Sequence, residues 1–100
     1  MSKTQVIRQG DLYIILDAEK PVGVKARKDR TLALGESTGH HHTLTTGTVF
    51  GEMAGTQWIV MDEPGILTHQ EHTALEIPVG IHEVRIQREY HPEAIRRVMD

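Results

Sequence analysis

The sequence predicts a small all-β domain, either a β-barrel or a β-sandwich, with one short helix at its C-terminus. The apolar runs are short, rich in Val, Ile and Leu, and separated by Gly, Pro or Asp, which is typical of strands joined by turns. They recur about every 8–12 residues, a spacing that favours a sandwich or a barrel. Since 100 residues suffice for one modest core, we expect a single domain over residues 1–100.

Each predicted strand lies between residues that favour turns. The clearest is the apolar run 58–61, which ends at the turn Asp62-Glu63-Pro64-Gly65. In chain order, strands are predicted at residues 12–16, 22–26, 31–34, 40–44, 48–50, 58–61, 66–69, 73–77 and 81–90.

The segment after these strands has the features of a short helix over residues 92–99. Pro92 suits the first helical position, where no amide hydrogen is needed, and Glu93 follows where the helix dipole favours an anion. Ile95, Val98 and Met99 recur at helical spacing. We therefore expect this helix to pack its apolar face on the strands.

The composition excludes several classes of protein. The chain has no cysteine, so it can contain neither a disulfide nor a thiolate metal site. Its formal net charge of −3 provides no general attraction to nucleic acid or to anionic membranes. No apolar run has the length of a signal-peptide core or the roughly 20 residues of a spanning helix, so we expect a cytoplasmic protein that does not bind membranes.

Histidines are the unusual feature of the sequence: there are seven, and five of them lie within residues 40–42 and 69–72. If residues 40–44 form a strand, His40 and His42 point to one face and His41 to the other. Two imidazoles one residue apart can bind the same metal ion, at about 2.0–2.1 Å from each nitrogen. The alternative is that the three histidines only cover a solvated edge strand.

The second cluster adds two further candidate ligands. If Gln70-Glu71 is the loop of a two-residue hairpin, His69 and His72 form a cross-strand pair with side chains on one face. Gln-Glu is a poor sequence for such a turn, however. The alternative is a longer loop, in which Glu71 could be a ligand.

His82 is a candidate on the last predicted strand. It shares a face with Val84 and Ile86, so we expect it to point inward. An inward histidine on an apolar face is more often a hydrogen-bonded core residue than a ligand. We therefore do not place His82 in the main ligand set. It is a possible additional ligand or base, as are Glu71 and Glu36.

Two segments resemble the metal-binding motifs of cupins, which have a double-stranded β-helix or jelly-roll fold. Residues 35–42 (GESTGHHH) are similar to the glycine and His-x-His of the first cupin motif, and residues 78–82 (PVGIH) to the P-x-G-x-x-H of the second. Two departures stand out. Glu52 is too far from His42 for the usual carboxylate ligand, and the second segment is one residue short, which reverses the face of a strand.

The chain also resembles a group of short bacterial and phage proteins. In these, a GExTGHxH segment, an H-x-x-H segment and a QREY segment recur, here at residues 35–42, 69–72 and 87–90. This resemblance implies no activity, but it favours His40, His42, His69 and His72 as the ligand set.

The function that we predict is metal binding by these four histidines. A set of imidazoles with an optional carboxylate suits Zn, Fe, Ni, Cu or Mn, and the sequence does not choose among these divalent transition metals. A site with three protein ligands would leave a position for water or a small-molecule ligand. Glu36, Glu52 or Glu71 could then serve as a general base, although the sequence names no reaction.

The alternative is a non-enzymatic binding or assembly module of a phage or multi-protein complex, whose histidines are structural or surface residues. Small size and few aromatic residues suit a domain that gains buried area as a homo-oligomer. Nucleic-acid binding ranks last, because a salt-bridged surface explains the arginines of the C-terminal part better, namely Arg85, Arg88, Arg96 and Arg97.

Overall fold

The computed structural model describes residues 5–34, 40–53 and 55–86, and within them the chain is all-β. Nine strands follow one another in this part of the chain: β1 (Val6–Gln9), β2 (Leu12–Ile15), β3 (Thr31–Leu34), β4 (His41–Leu44), β5 (Thr48–Gly51), β6 (Gln57–Met61), β7 (Gly65–Thr68), β8 (Leu75–Ile77) and β9 (Gly80–Ile86). The described residues contain no helix that could cross a membrane. The predicted helix over residues 92–99 lies outside them.

The described strands form two antiparallel sheets, which make the domain a small β-sandwich. The large sheet has the order β1-β2-β9-β6-β5, and the small sheet has the order β3-β4-β7-β8. The central strand of the large sheet is β9, which pairs with β2 on one side and with β6 on the other. The predicted all-β class is therefore confirmed, in the form of a two-sheet sandwich.

The core is aliphatic and follows the two-residue period of the strands. Buried and partly exposed side chains alternate along β2 and β6. Tyr13, Phe50 and Trp58 are only partly buried, whereas the smaller apolar residues beside them are almost fully enclosed. The principal core side chains are Leu12, Ile14, Leu32, Leu44, Val49, Ile59, Met61, Leu67, Ile77 and Val84.

Eight of the nine predicted strands are found in the described part of the chain, and their bounds agree with the prediction to within two residues. The last predicted strand extends over residues 87–90, which are not described. Residues 22–26 are the exception and form no strand; only Ala26 makes an isolated bridge, to Phe50. Val22 is fully exposed, and Gly23 has a φ of 97° that breaks the extended conformation. The valines of this segment therefore do not form the strand that their β-propensity predicts.

The first strand, β1, was not predicted, because Val-Ile-Arg-Gln is a weak apolar run. It pairs with β2 through the two-residue turn Gly10-Asp11, which Gln9 and Leu12 flank. Gly10 has a φ of 59°, as the first loop residue of a primed hairpin turn requires. This turn places Gln9 at the end of β1, where its side chain enters the space between the sheets.

Two glutamines are buried among the described residues, and each joins the two sheets. Nε2 of Gln9 donates to the carbonyl oxygen of Leu67 in the small sheet, and Nε2 of Gln57 donates to that of Leu32, both at 2.9 Å. Oε1 of Gln57 accepts a hydrogen bond from Arg27 at 2.5 Å. A buried amide is costly unless its polar atoms form hydrogen bonds. These contacts therefore favour one position of the two sheets relative to each other.

Candidate functional site

Four histidine rings of the described residues lie together where the β1–β2 turn meets β4 and the β7–β8 connection. The ring of His69 is central: its centroid is 4.4 Å from that of His42, 4.4 Å from that of His72 and 5.5 Å from that of His40. The rings of His42 and His72 are 6.1 Å apart and nearly parallel. The structure thus brings together the four histidines that the sequence predicts as ligands, although they belong to two segments about 30 residues apart.

Strand β4 orients the first group of histidines by simple alternation. His42 is 8% exposed and lies on the buried face with Leu44, as predicted. His41 lies on the opposite face, where its Nδ1 is 2.7 Å from the hydroxyl of Thr43. His40 precedes the strand, and its Nδ1 is 3.6 Å from Oε1 of Glu71. The separation of His41 from His42 is therefore a direct consequence of strand geometry.

The predicted two-residue hairpin at Gln70-Glu71 is wrong. β7 ends at Thr68 and β8 begins at Leu75, so His69 and His72 lie in a six-residue loop, residues 69–74. The physical reason is that primed two-residue turns need positive φ values, which Gln and Glu disfavour. The longer loop, the alternative that the sequence left open, is what occurs, and it places Glu71 beside His40.

Gln70 attaches this loop to β4. Its Oε1 accepts a hydrogen bond from the backbone N–H of His41 at 2.8 Å, and its Nε2 lies 3.2 Å from Nε2 of His41. The amide nitrogen can only donate, so Nε2 of His41 accepts and its Nδ1 carries the ring proton. Both ring nitrogens of His41 are thus engaged, which leaves no lone pair for a metal.

Gln9 makes the corresponding contact to His42 from the large sheet. Its Oε1 is 2.7 Å from Nδ1 of His42, and its Nε2 donates to the carbonyl oxygens of Leu67 and Thr73, each at 2.9 Å. Gln9 is only 3% exposed. Beside it, a Cβ on Gly10 would lie 2.6 Å from Nε2 of His72, so a larger residue at this position would force that exposed ring to move.

His82 is buried, as predicted, but it is not one of the four clustered rings. Its Nδ1 accepts a hydrogen bond from the backbone N–H of Asp17 at 3.1 Å, and its Nε2 donates to the carbonyl oxygen of Pro78 at 2.8 Å. Both ring nitrogens are engaged, as expected of a core histidine. Among the other candidates, Glu52 is exposed between β5 and β6, and Glu36 lies outside the described residues.

Two rings of the cluster, those of His42 and His69, favour the neutral form. Burial, followed by the neighbouring His69 and His72, lowers the pKa of His42 to about 4 against a smaller opposing effect of Asp11. The pKa of His69 is also lowered, first by burial and then by His72 and His40. Neutral imidazole is the form that binds metal ions.

In this structure the rings pack against one another and do not converge on one point. Imidazoles around a tetrahedral ion at about 2.0–2.1 Å would have centroids about 5 Å apart, and the observed separations fall on both sides of that value. Among residues 5–34, 40–53 and 55–86, no group of three or more His, Asp or Glu side chains is arranged to hold a metal. His69 provides a reason, because its Nδ1 accepts a hydrogen bond from the N–H of Glu71 at 3.0 Å. The ring proton of neutral His69 therefore lies on Nε2, which is a donor.

Three residues of the site were not predicted: Gln9, Gly10 and Gln70. The Gly10-Asp11 pair was visible as a turn signal, but nothing local in the sequence shows that the turn packs under His72. The two glutamines act through partners 29 or more positions away. Such contacts follow from tertiary structure and have no local signal.

Comparison with known proteins adds a family to this description. No curated protein matches the chain, and no solved structure does. Residues 8–87, which include every strand from β2 to β9, match the family described as domain of unknown function DUF8820. The chain therefore belongs to the DUF8820 family.

Proposed function

We propose that this domain binds a divalent transition metal through His42, His69 and His72, with His40 as a fourth ligand. The observation that supports the proposal is the packing of four imidazoles from two distant segments, in which the ring of His69 lies 4.4–5.5 Å from each of the other three. Burial makes protonation of His42 unfavourable and keeps the lone pair of one ring nitrogen available at neutral pH.

The nature of the donors limits the metal. Imidazole suits Zn, Fe, Ni and Cu, and a carboxylate beside it also suits Mn. Glu71 is the carboxylate nearest to the rings, 3.6 Å from Nδ1 of His40, and is the additional ligand or base in this proposal. The ligand set follows the resemblance to the short bacterial and phage proteins and differs from a cupin-type set, since both ring nitrogens of His82 are engaged. A small-molecule ligand at an open metal position and a cytoplasmic location are further parts of the proposal.

Metal binding requires a local rearrangement in the loop of residues 69–74. His69 must release the N–H of Glu71 and place its lone pair on the nitrogen that faces the ion. The loop is largely exposed, so this change disturbs little of the core. Coordination by His42 needs no such exchange, because the described residues form no hydrogen bond to its Nε2. Nε2 of His72 lies against Gly10, so this exposed ring must turn to bind the same ion.

Metal analysis of untagged protein tests the proposal. We expect near-stoichiometric uptake of Zn or Ni by the wild-type protein and a rise in its melting temperature, because a metal that binds only the folded state stabilises it. His42→Ala and His69→Ala should lose at least most of this uptake. The matched control is His41→Ala, which removes an adjacent imidazole whose nitrogens are both engaged. Metal-free protein whose melting temperature is unchanged by either ion would rule out the proposal.

A second candidate is the non-enzymatic assembly module, and the outer face of the large sheet favours it. Val6, Ile15, Trp58 and Phe50 are aligned across four strands of this sheet by their pairing, interrupted only by Glu83 on β9. Val6 and Ile81 are among the exposed large hydrophobic residues. An apolar row of this kind suits contact with a second protein surface.

A further inference from the structure

We infer that Gln9 is a positioning residue for the histidine cluster: its carboxamide places the ring proton of His42 on Nδ1 and leaves the Nε2 lone pair for a ligand. The inference rests on the proposed function for its purpose, but the proton position that it assigns can be measured without metal. Nothing in the sequence near residue 9 marks it as part of a site.

The orientation of the Gln9 amide follows from its partners. Two backbone carbonyl oxygens, of Leu67 and Thr73, lie at 2.9 Å from the same side-chain atom. Carbonyl oxygens only accept hydrogen bonds, so that atom must be the NH₂ group, and both of its hydrogens are used. The other amide atom, which faces His42, is therefore the oxygen.

The proton position on His42 follows in turn. The Gln9 oxygen can only accept, and it lies 2.7 Å from Nδ1 of His42. Nδ1 must therefore be the N–H donor, and in the neutral ring Nε2 then has the lone pair. With His42 and Gln9 both almost fully buried, water cannot readily replace this contact.

This arrangement is the one that supports metal ligands in proteins. A coordinating histidine usually donates its second ring N–H to a carboxylate or a carbonyl oxygen, which sets the orientation of the ring and makes the coordinating nitrogen more basic. Gln9 provides a carbonyl-type oxygen of this kind. It is itself held by the β1–β2 turn and by the small sheet, so the contact spans both layers of the sandwich.

The decisive test is nitrogen NMR of the metal-free protein at neutral pH, combined with a metal titration. In the wild-type protein we expect His42 to show a protonated Nδ1 and an unprotonated Nε2. His82 is an internal reference with the opposite pattern, since its Nδ1 accepts and its Nε2 donates. In Gln9→Met, His42 should lose its preference for Nδ1–H, and affinity for Zn or Ni should fall by about 10–100-fold.

The matched control is Gln57→Met. Gln57 is the other buried glutamine of the described residues, and it also donates across the sandwich to a backbone carbonyl, that of Leu32. This variant removes a comparable inter-sheet hydrogen bond, so it should lower the melting temperature. The proton position on His42 should not change, and the metal affinity should fall by less than about tenfold.

The possible results separate the inference from the proposed function. Protonated Nε2 on His42 of the wild-type protein would overturn the inference directly, without any variant. If the wild-type protein binds no metal, the proposed function fails, and the proton position on His42 alone tests the inference. Loss of Nδ1–H in Gln9→Met would then support the role of Gln9, and retention of Nδ1–H in that variant would overturn it. Equal loss of metal affinity in Gln9→Met and Gln57→Met would also overturn it.

Discussion

At the scale of single residues, the histidines of the described chain divide by what their two ring nitrogens contact. His41 and His82 have both nitrogens engaged by neighbouring groups. His42 has one nitrogen engaged, by Gln9, and faces other imidazoles with the remainder of its ring. This difference, rather than the presence of three consecutive histidines, makes His42 a better candidate ligand than His41.

The low pKa of His42 predicts that the metal-free protein loses stability in mild acid. The pKa is about 4 in the folded protein against an ordinary value of 6.5. Above pH 6.5 the ring is neutral in both states and costs nothing. As the pH falls from 6.5 towards 4, the unfolded chain binds a proton that the folded chain does not, and the free energy of unfolding decreases by up to about 3 kcal/mol.

Urea denaturation at pH 7.5 and pH 4.5 measures this effect, with His42→Asn as the comparison. Asparagine keeps a side-chain N–H for Oε1 of Gln9 but does not titrate. The wild-type protein should lose about 2 kcal/mol more than the variant between the two pH values. Identical losses would contradict the assignment of a lowered pKa to His42.

At the scale of elements, the loop of residues 69–74 is the part of the site whose position depends on few contacts. Its neighbours β7 and β8 pair through three residue pairs, and Gln70 attaches the loop to β4. Glu71 donates its N–H to His69 within the loop. Gln9 also donates to the carbonyl oxygen of Thr73, but the other hydrogen bonds of the loop are exposed, so it opens more readily than the strands that flank it.

Gln70→Ala should loosen this loop while leaving the fold intact. Since Gln70 is exposed, we expect a loss of roughly 0.5–1.5 kcal/mol in the free energy of unfolding. Amide hydrogen exchange of Glu71 and His41 should accelerate, because the hydrogen bond from the His41 N–H is removed and the loop opens more often. Metal affinity should fall as well.

The control for this variant is Gln5→Ala, which removes an exposed glutamine side chain beside β1, away from the loop. Comparable exchange rates at Glu71 in the two variants would show that Gln70 does not hold the loop. Unchanged metal affinity in Gln70→Ala would separate the loop from the metal site.

At the scale of the whole molecule, the two faces of the large sheet differ in an informative way. The inner face is closed by aliphatic side chains such as Leu12, Ile14 and Ile59. The outer face bears Tyr13, Phe50 and Trp58, each partly exposed. The ring of Phe50 has the ammonium group of Lys20 over it, at 4.6 Å from the centroid. Burying such a face against a second copy would add apolar contact to the modest core of a 100-residue chain.

Light scattering during gel filtration at several protein concentrations tests this second candidate function. We expect a mass above that of the 11.3 kDa chain, increasing with concentration. Trp58→Thr should shift the protein towards the monomer, because threonine is compatible with a strand but removes most of the apolar area. The control is Thr48→Ser, an exposed change on the neighbouring strand β5. A monomer at every concentration would remove the homo-oligomer from consideration.

The strands and the histidine alternation could be predicted because they depend on local patterns. Turn residues such as Gly10-Asp11 and Asp62–Gly65 mark the ends of strands, and a two-residue period decides which side of β4 faces the core. That is why His42 could be separated from His41 without a structure. The predicted strand over residues 22–26 failed for the same reason, since local preference was the only support for it.

The sequence by itself therefore determined the all-β class, most strand positions and the four histidines of the cluster. Only the tertiary structure decided that the strands form two sheets, that His82 has both nitrogens engaged, and that Gln9 and Gln70 orient the neighbouring rings. The physical reason is range. Alternation and turn formation depend on adjacent residues, whereas the hydrogen bond from His42 to Gln9 exists only because packing brings together residues 33 positions apart.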